Sequence, residues 1–206
     1  MTQGTQKTRK PTQQRGIRTK DKILQAAERL FSEKGFHKTN TKEIAAEAGV
    51  ATGSVYAYFK DKKSVFLEIY GSASHVTFLQ KTCRDLDFSK KSNREIILAL
   101  LQSLAEEHTL SPGFRREVSA MRVNDKDVEA IHTRLHDAMR AQLVDTLRRK
   151  EKALRITDLD AAAFVILCAC EEVIHASRAN TPGIEQERLL DTLADMIARY
   201  VFKKDF

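Results

Sequence analysis

The stretch from Asn40 to Phe59, NTKEIAAEAGVATGSVYAYF, contains two short helical segments on either side of a glycine. Asn40 and Glu43 have the spacing of a capping box, which predicts the start of the first segment. Gly49 stands where that segment would end, because helix ends favour a residue with a positive φ. The second segment is predicted from Gly53 to Phe59. Two short helices joined by a tight turn form a helix-turn-helix, which places its second helix in the major groove of DNA.

The amino-acid types in this stretch fit such a unit. Small side chains are needed where the two helices cross, and polar ones where the second helix faces the groove. The small residues are Ala45, Ala46, Ala48 and Gly49, and the polar ones with Gly53 are Thr52 and Ser54. A core that fixes the angle between the helices is predicted from Phe31, Ile44, Val55 and Phe59.

Helix start and stop signals continue on both sides of this stretch. Upstream, Thr19 is predicted to cap a first helix that ends before Gly35. Downstream, Asp61 is predicted to cap a fourth helix. Further start signals are Ser92 with Glu95, Ser111 with Pro112, Thr157 with Asp160, and Thr181 with Pro182 and Gly183. With a long amphipathic segment from Val128 to Leu147, these signals predict an all-α protein of about nine helices.

The positive charge of the chain is concentrated in its first third. Residues 1–63 contain 14 Lys and Arg against 6 Asp and Glu, a net +8, whereas the other 143 residues contain 21 against 22, a net −1. A basic segment joined to a neutral body is typical of a nucleic-acid-binding protein. Six cations precede the first acidic residue, Asp21, and residues 1–16 are predicted to form a flexible basic arm.

Composition and motifs exclude several classes of protein. The longest apolar run, from Ala161 to Cys170, is about half the length of a membrane span, and the polar, basic N-terminus does not look like a signal peptide. Three cysteines without a CxxC pair do not form a disulfide scaffold, and they fit the reducing cytoplasm. No GxSxG, P-loop or GxGxxG motif is present, so neither enzymatic activity nor a cofactor is predicted.

From Ile23 to Phe66 the sequence strongly resembles the DNA-binding domain of TetR-family transcriptional repressors. The matching pieces occur in order and without gaps: Ala26-Ala27, Leu30-Phe31, Gly35-Phe36, Thr39 with Thr41, Glu43-Ile44-Ala45, Ala48-Gly49-Val50, Gly53, Tyr56, Tyr58-Phe59 and Lys62. Each piece is weak alone, but the ordered set is specific. The resemblance implies a helix-turn-helix DNA-binding domain at residues 17–77 and leaves residues 78–206, which carry no matching motif, for ligand binding and dimerisation.

The resemblance also implies which residues contact DNA. The phosphate contacts would be made by Thr41, Tyr56, Tyr58, Lys60 and Lys62. The groove-facing residues would be Thr52, Gly53 and Ser54, and Gly53 would let the backbone approach the bases. Two positions depart from the family pattern. Ala51 replaces a capping Ser, so Thr52 is either the helix cap or a base reader. Ala57 replaces an aromatic residue, which removes one contact.

The larger half is expected to dimerise and to bind a small-molecule inducer. The last two helices, predicted at residues 157–179 and 182–203, would pair with their copies in a four-helix bundle. The resulting dimer would read a palindromic operator. An apolar or amphipathic inducer would bind between the fourth helix and the helices after it and release the DNA. Candidate lining residues, which equally fit an ordinary core, are Phe78, Phe114, Met121, Met139 and Phe164.

Other interpretations remain open at this point. Two ExxH motifs, Glu129 to His132 and Glu172 to His175, have the spacing of di-iron carboxylate bundles, which would make the chain a metal sensor or oxidase. Further ligands would be Glu95, Glu106 or Glu107, and His132 with His136 has a chelating spacing. Alternatively, the protein coats DNA without sequence preference, or it activates transcription instead of repressing it.

Overall fold

A computed structural model describes residues 14–72, 91–106, 110–178 and 183–203. Over these ranges the chain forms nine α-helices: α1 (Gln14–Lys34), α2 (Thr41–Glu47), α3 (Thr52–Tyr58), α4 (Lys62–Ser72), α5 (Asn93–Glu106), α6 (Pro112–Arg122), α7 (Lys126–Arg148), α8 (Leu159–Arg178) and α9 (Gln186–Val201). The only β-pairing in the described ranges is an isolated bridge between Leu154 and Phe202. The all-α prediction is confirmed. Phe78, Cys83, Glu107 and residues 1–13 lie outside the described residues.

The helices divide into two compact units. The first combines residues 1–73 with residues 109–132, and the second combines residues 74–108 with residues 133–206. The first unit therefore includes α6, which packs against α1. This grouping cuts across the division that the sequence predicts at residue 77. None of the helices in the described ranges has the length and apolar character that crossing a membrane requires.

An aromatic cluster forms the centre of the first unit. The ring centroids of Phe66 and Phe114 are 4.6 Å apart, and Phe31 lies 5.5 Å from both Phe36 and Phe66. Such ring separations and tilted geometries are favourable aromatic contacts. The four residues that the sequence predicts for the core of the helix-turn-helix are all buried: Phe31, Ile44, Val55 and Phe59.

Several predicted helix ends are confirmed. Asn40 Oδ1 accepts a hydrogen bond from the Glu43 N–H at 3.0 Å, and Glu43 Oε2 accepts one from the Asn40 N–H at 3.0 Å, which completes the capping box of α2. Gly35, just after α1, has a φ of +84°, and Gly49, just after α2, has a φ of +65°. Asp61 accepts a hydrogen bond from the Ser64 N–H at 2.7 Å in the first turn of α4.

Three predicted helix starts are wrong. α9 begins at Gln186 with Glu185 at its N-cap, and not at the predicted residue 182. α1 begins at Gln14, so Thr19 lies inside the helix, where its hydroxyl donates to the Arg15 carbonyl oxygen at 2.9 Å. A Thr hydroxyl forms this local bond as readily as it caps a helix. α8 begins at Leu159, and its first turn is capped by Asp158, whose carboxylate accepts the Ala161 N–H at 3.0 Å. Thr157 is therefore not the cap.

Three helices build the core of the second unit. α9 packs against both α5 and α8, and the buried side chains there include Leu101, Ile174 and Ala194. Arg94 on α5 adds polar contacts to α9, at 2.6 Å from Asp191 and 3.6 Å from Asp195. The amphipathic pattern of α5, α8 and α9 thus accounts for their mutual packing.

Candidate nucleic-acid interface

The positions of α2 and α3 are fixed from both sides. α2 packs against α1 and α3, and the turn at Gly49 joins the two short helices. Two ion pairs connect α1 to α2: Arg29 lies 2.9 Å from Glu47, and Lys34 lies 3.1 Å from Glu43. This arrangement is a helix-turn-helix, with α3 in the place of the recognition helix.

One face of α3 is available to a partner. Val55 is completely buried, whereas Gly53 and Tyr56 are exposed, with 40% of the Tyr56 surface accessible. The other three residues that the sequence assigns to this helix are half-buried, namely Thr52, Ser54 and Tyr58. Ala51 occupies the N-cap position and makes no side-chain capping bond. Thr52 is the first helical residue, so its side chain does not act as the cap.

Two of the predicted phosphate ligands are hydrogen-bonded to each other. Thr41 Oγ1 and Tyr56 Oη lie 2.8 Å apart, and this bond joins the start of α2 to α3. Both hydroxyls belong to incompletely buried residues. One of the two O–H groups donates this bond, so the other hydroxyl keeps its own proton and can donate it to a phosphate oxygen.

Many cations of the first unit are neutralised within it. Lys20 lies 2.6 Å from Glu68, and Lys63 lies 2.7 Å from both Asp125 and Asp127. In α2, α3 and the turns beside them, three exposed lysines have no ion-pair partner among the residues that the structure describes: Lys38, Lys42 and Lys60. They are the cations of α2, α3 and their flanking turns that remain available to phosphates. Lys60 is predicted from the sequence, whereas Lys38 and Lys42 are not, because they carry no signal beyond their charge.

The ammonium of Lys62 is already surrounded by backbone carbonyls. Its Nζ donates to the carbonyl oxygens of Phe36 at 2.7 Å, His37 at 3.2 Å and Thr39 at 2.8 Å. It also lies 4.5 Å from the centre of the Phe36 ring. The sequence predicts a phosphate contact for Lys62, whereas these acceptors use all three of its N–H donors.

Ion pairs also shift the acid–base properties of this unit. The Lys34 side chain and the Asn40 N–H hold the pKa of Glu43 below its ordinary value, which keeps the capping carboxylate ionised. Hydrogen bonds to Asp125 and then Asp127 raise the pKa of Lys63. Both effects favour the charged forms at neutral pH.

Family models match both halves of the chain. The model described as "Bacterial regulatory proteins, tetR family" matches residues 23–69, and "Tetracyclin repressor-like, C-terminal domain" matches residues 94–200. The second match alone covers half of the sequence. The chain belongs to the TetR family. It is therefore a DNA-binding transcriptional regulator, and α2–α3 is its helix-turn-helix.

Individual relatives of this TetR-family protein agree with that conclusion. The transcriptional regulator AcrR of Shigella flexneri is 36% identical over 104 residues, which are 47% of this chain and 46% of AcrR. The alignment thus spans about half of that relative. A TetR-family regulator from Mesorhizobium loti has the same fold, with a TM-score of 0.72 and 20% identity over 92% of this chain and 100% of that one. SmeT in complex with triclosan has a TM-score of 0.68 and 23% identity over 90% of this chain and 92% of that one. A separate structure describes SmeT as the repressor of the Stenotrophomonas maltophilia multidrug efflux pump SmeDEF.

The ExxH motifs do not assemble into a metal centre in the described part of the chain, where no three potential ligand side chains come together. Glu129 lies 2.9 Å from Arg122, and His132 Nδ1 is 2.8 Å from the Tyr70 hydroxyl. These contacts give both residues structural roles.

The predicted inducer-lining residues in the described ranges are divided between the two units. Phe114 and Met121 are buried in the first unit, and Phe114 belongs to its aromatic cluster. Phe164 is 50% exposed on α8, and Met139 is half-buried on α7. Phe114 and Phe164 therefore do not indicate a ligand cavity.

Proposed function

We propose that this TetR-family protein is a repressor that binds a palindromic operator as a homodimer and is released by a small-molecule inducer. The observation that carries the DNA-binding part is the geometry of α2 and α3. The hydrogen bond between Thr41 and Tyr56 fixes the two short helices relative to each other, and α3 presents Gly53 and Tyr56 to solvent. A recognition helix held at a fixed angle is what major-groove binding requires.

Within this proposal the eight residues have two kinds of role. Thr52, Gly53 and Ser54 face the groove, where the absence of a side chain at Gly53 allows close approach. Phosphate contacts come from Thr41, Tyr56, Tyr58 and Lys60. Lys62, the eighth residue, donates to three backbone carbonyls. Lys38 and Lys42 join the phosphate-binding set because they are exposed and lack ion-pair partners among the described residues.

Two exposed stripes, one on each helix, support dimerisation through α8 and α9. The stripe on α8 has the i, i+3, i+4, i+7 spacing of a helix face and consists of Ala161, Phe164, Val165 and Cys168. The stripe on α9 contains Met196 and Tyr200, which are 52% and 47% exposed. A partner copy that covers both stripes would complete a four-helix bundle with a standard-sized interface of about 1,500 Å². The dimer would place two recognition helices about 34–36 Å apart.

The proposed inducer is an apolar or amphipathic molecule that binds in the second unit. Apolar side chains from α5, α7 and α8 are only partly buried there, among them Ile97, Leu143 and Val173. SmeT, whose fold is similar, has a solved structure as a complex with triclosan. The inducer would act by population shift, because it prefers the state of the dimer that cannot bind DNA.

Selection of bound duplexes from a random-sequence DNA pool at physiological salt tests the proposal. Enrichment of a two-fold symmetric site is the expected result. Binding without enrichment would instead favour a protein that coats DNA uniformly. Once the DNA site is known, its position relative to a promoter can be determined. A reporter assay then distinguishes repression from activation.

A further inference from the structure

The turn between α1 and α2 determines where the DNA-binding helices begin. It starts at Gly35, whose positive φ ends α1, and it reaches Asn40, which caps α2. Inside it, Thr39 is 1% exposed, and its hydroxyl donates to the Gly35 carbonyl oxygen at 2.9 Å. Thr41, a predicted phosphate ligand, follows directly. Any displacement of the turn therefore moves the start of α2.

Lys62 satisfies the carbonyls of this turn. Its ammonium donates hydrogen bonds to the backbone carbonyl oxygens of Phe36, His37 and Thr39. Lys62 is also the first residue of α4. A cation at a helix N-terminus is opposed by the helix dipole, so it needs compensating negative partners. Three carbonyl oxygens supply them. To reach a phosphate, Lys62 would have to give up at least one of these bonds.

Glu117 holds the opposite side of the same turn. Its carboxylate oxygen Oε2 accepts the Phe36 N–H at 2.7 Å, so α6 contributes a partner to a turn 81 residues away. Lys62 accordingly binds the Phe36 carbonyl while Glu117 binds the Phe36 amide. Charged groups form stronger hydrogen bonds than neutral ones, and both peptide groups of this residue gain such a partner.

We propose that Lys62 and Glu117 are positioning residues for DNA binding, which hold the turn of residues 35–40 and thereby place α2, and that Lys62 makes no phosphate contact. This inference rests on the proposed operator binding only where affinity for the enriched duplex is measured. The salt dependence below needs no operator, because it is also measurable on a random-sequence duplex. Accurate placement of recognition groups by a supporting layer of side chains is a general requirement of binding sites.

The first experiment compares Lys62→Met with Lys60→Met in the full-length protein. Log affinity is measured against log salt concentration on a random duplex and on the enriched duplex. We expect Lys60→Met to reduce the salt slope by about one, since each phosphate contact contributes about 0.9. Lys62→Met is expected to leave the slope unchanged while it weakens binding to the enriched duplex by about tenfold, or about 1.4 kcal/mol. A slope reduced by about one in Lys62→Met, or wild-type affinity together with a wild-type slope, overturns the proposal.

The second experiment uses the sign of the charge at Glu117. Removal of a carboxylate from a protein that binds a polyanion is expected to strengthen binding when electrostatics alone acts. We expect the opposite for Glu117→Ala, a loss of about fivefold or more on the enriched duplex. Glu33→Ala, which removes an exposed carboxylate from α1, is the matched control and is expected to bind as well as wild type or more tightly.

A conservative variant separates positioning from general loss of structure. Glu117→Gln keeps an oxygen that accepts the Phe36 N–H, and we expect it to bind within about twofold of wild type. Tight binding by Glu117→Ala, or equal weakening by Glu117→Gln and Glu117→Ala, overturns the role of Glu117. Where thermal melting shows that Glu117→Ala does not fold, Glu117→Gln and the salt slope of Lys62→Met decide the question. If the DNA selection enriches no site while Lys60→Met and Lys62→Met show the expected salt slopes, only the proposal of operator binding is contradicted.

Discussion

Thr41 Oγ1 and Tyr56 Oη lie 2.8 Å apart, so the first residue of α2 is hydrogen-bonded to the exposed face of α3. The bond connects the two halves of the helix-turn-helix through groups that are themselves candidates for phosphate binding. The hydroxyl that accepts in this bond can donate its own proton to a phosphate oxygen, so a bound phosphate would extend the hydrogen-bonded link between α2 and α3. DNA binding and the internal geometry of the motif are therefore coupled at this pair.

Removal of the Tyr56 hydroxyl tests this coupling. We expect Tyr56→Phe to lower DNA affinity by about tenfold or more, because hydrogen bonds to charged groups contribute about 1.5–3 kcal/mol. The loss is expected to be equal on the enriched and random duplexes, since a phosphate contact carries no sequence information. Fluorescence anisotropy measures both affinities, and Thr146→Val, which removes an exposed hydroxyl from α7, is the control. A loss confined to one sequence would mean that Tyr56 reads bases.

Gly53 allows stability and DNA binding to be separated. A Cβ at this position meets no atom within 4 Å, and its φ is not in the left-handed region. Gly53→Ala is therefore expected to keep or increase the free energy of unfolding, by at most about 1 kcal/mol, because Ala favours a helix. We expect operator affinity to fall on the order of tenfold as the methyl group meets the groove. Unchanged affinity would place the α3 backbone away from the DNA.

The sequence predicts the parts of this protein that depend on neighbouring residues. Asn40 and Glu43 are three positions apart, so their capping box and the start of α2 were predictable. The prediction that Thr19 caps α1 was wrong because a threonine hydroxyl can also donate to a carbonyl oxygen within a helix. The carbonyl partners of Lys62 are 23 to 26 residues away and the amide partner of Glu117 is 81 away. No periodicity indicates contacts of this kind.

Gly113 is expected to be essential for the packing of α6 on α1. A Cβ there would lie 2.5 Å from the Ser32 carbonyl oxygen and 2.8 Å from the Ser32 Cβ. Because the first of these atoms belongs to the backbone, α6 would have to move. We expect Gly113→Ala to reduce the free energy of unfolding by about 1–3 kcal/mol, measured by urea denaturation. Gly53→Ala is the matched control, since Gly53 is also the second residue of a helix and has open space around it. Equal stabilities of the two variants would contradict close packing at Gly113.

A charge in the exposed stripe of α8 is expected to disrupt the proposed dimer. Val165 is 56% exposed in the single chain, so glutamate is tolerated there unless a partner covers it. We expect Val165→Glu to weaken dimerisation more than a hundredfold, because an unpaired buried charge costs about 3–5 kcal/mol. Sedimentation equilibrium measures the effect, and Gln102→Glu, which adds the same charge to an exposed position of α5, is the control. A Val165→Glu variant that remains as dimeric as Gln102→Glu would place the interface elsewhere.

The same variant changes the reactivity of a neighbouring thiol. Cys168 belongs to the α8 stripe and is exposed in the single chain. A partner copy would cover it, so we expect iodoacetamide to alkylate Cys168 slowly in the wild-type dimer and faster in Val165→Glu. A Cys83→Ser background removes the thiol that lies outside the described residues. Equal alkylation rates in the two proteins would argue against coverage of this stripe.

Cys170 gives the second unit a pH dependence at the alkaline end. The residue packs against the core cluster, and burial raises the pKa of its thiol from 9.0 to about 12. Below pH 9 the thiol is protonated in the folded and unfolded chains, so its contribution to stability is constant. Between pH 9 and about 12 the unfolded chain loses this proton first, and the free energy of unfolding falls as pH rises.

Urea denaturation of wild type and Cys170→Ala across this range isolates the effect from other titrating groups. We expect the difference in free energy of unfolding between wild type and Cys170→Ala to be constant up to pH 9. Above pH 9, we expect the wild type to lose stability relative to Cys170→Ala. A difference that stays constant to pH 11 would mean that water reaches the thiol in the folded protein and that its pKa is close to the ordinary value.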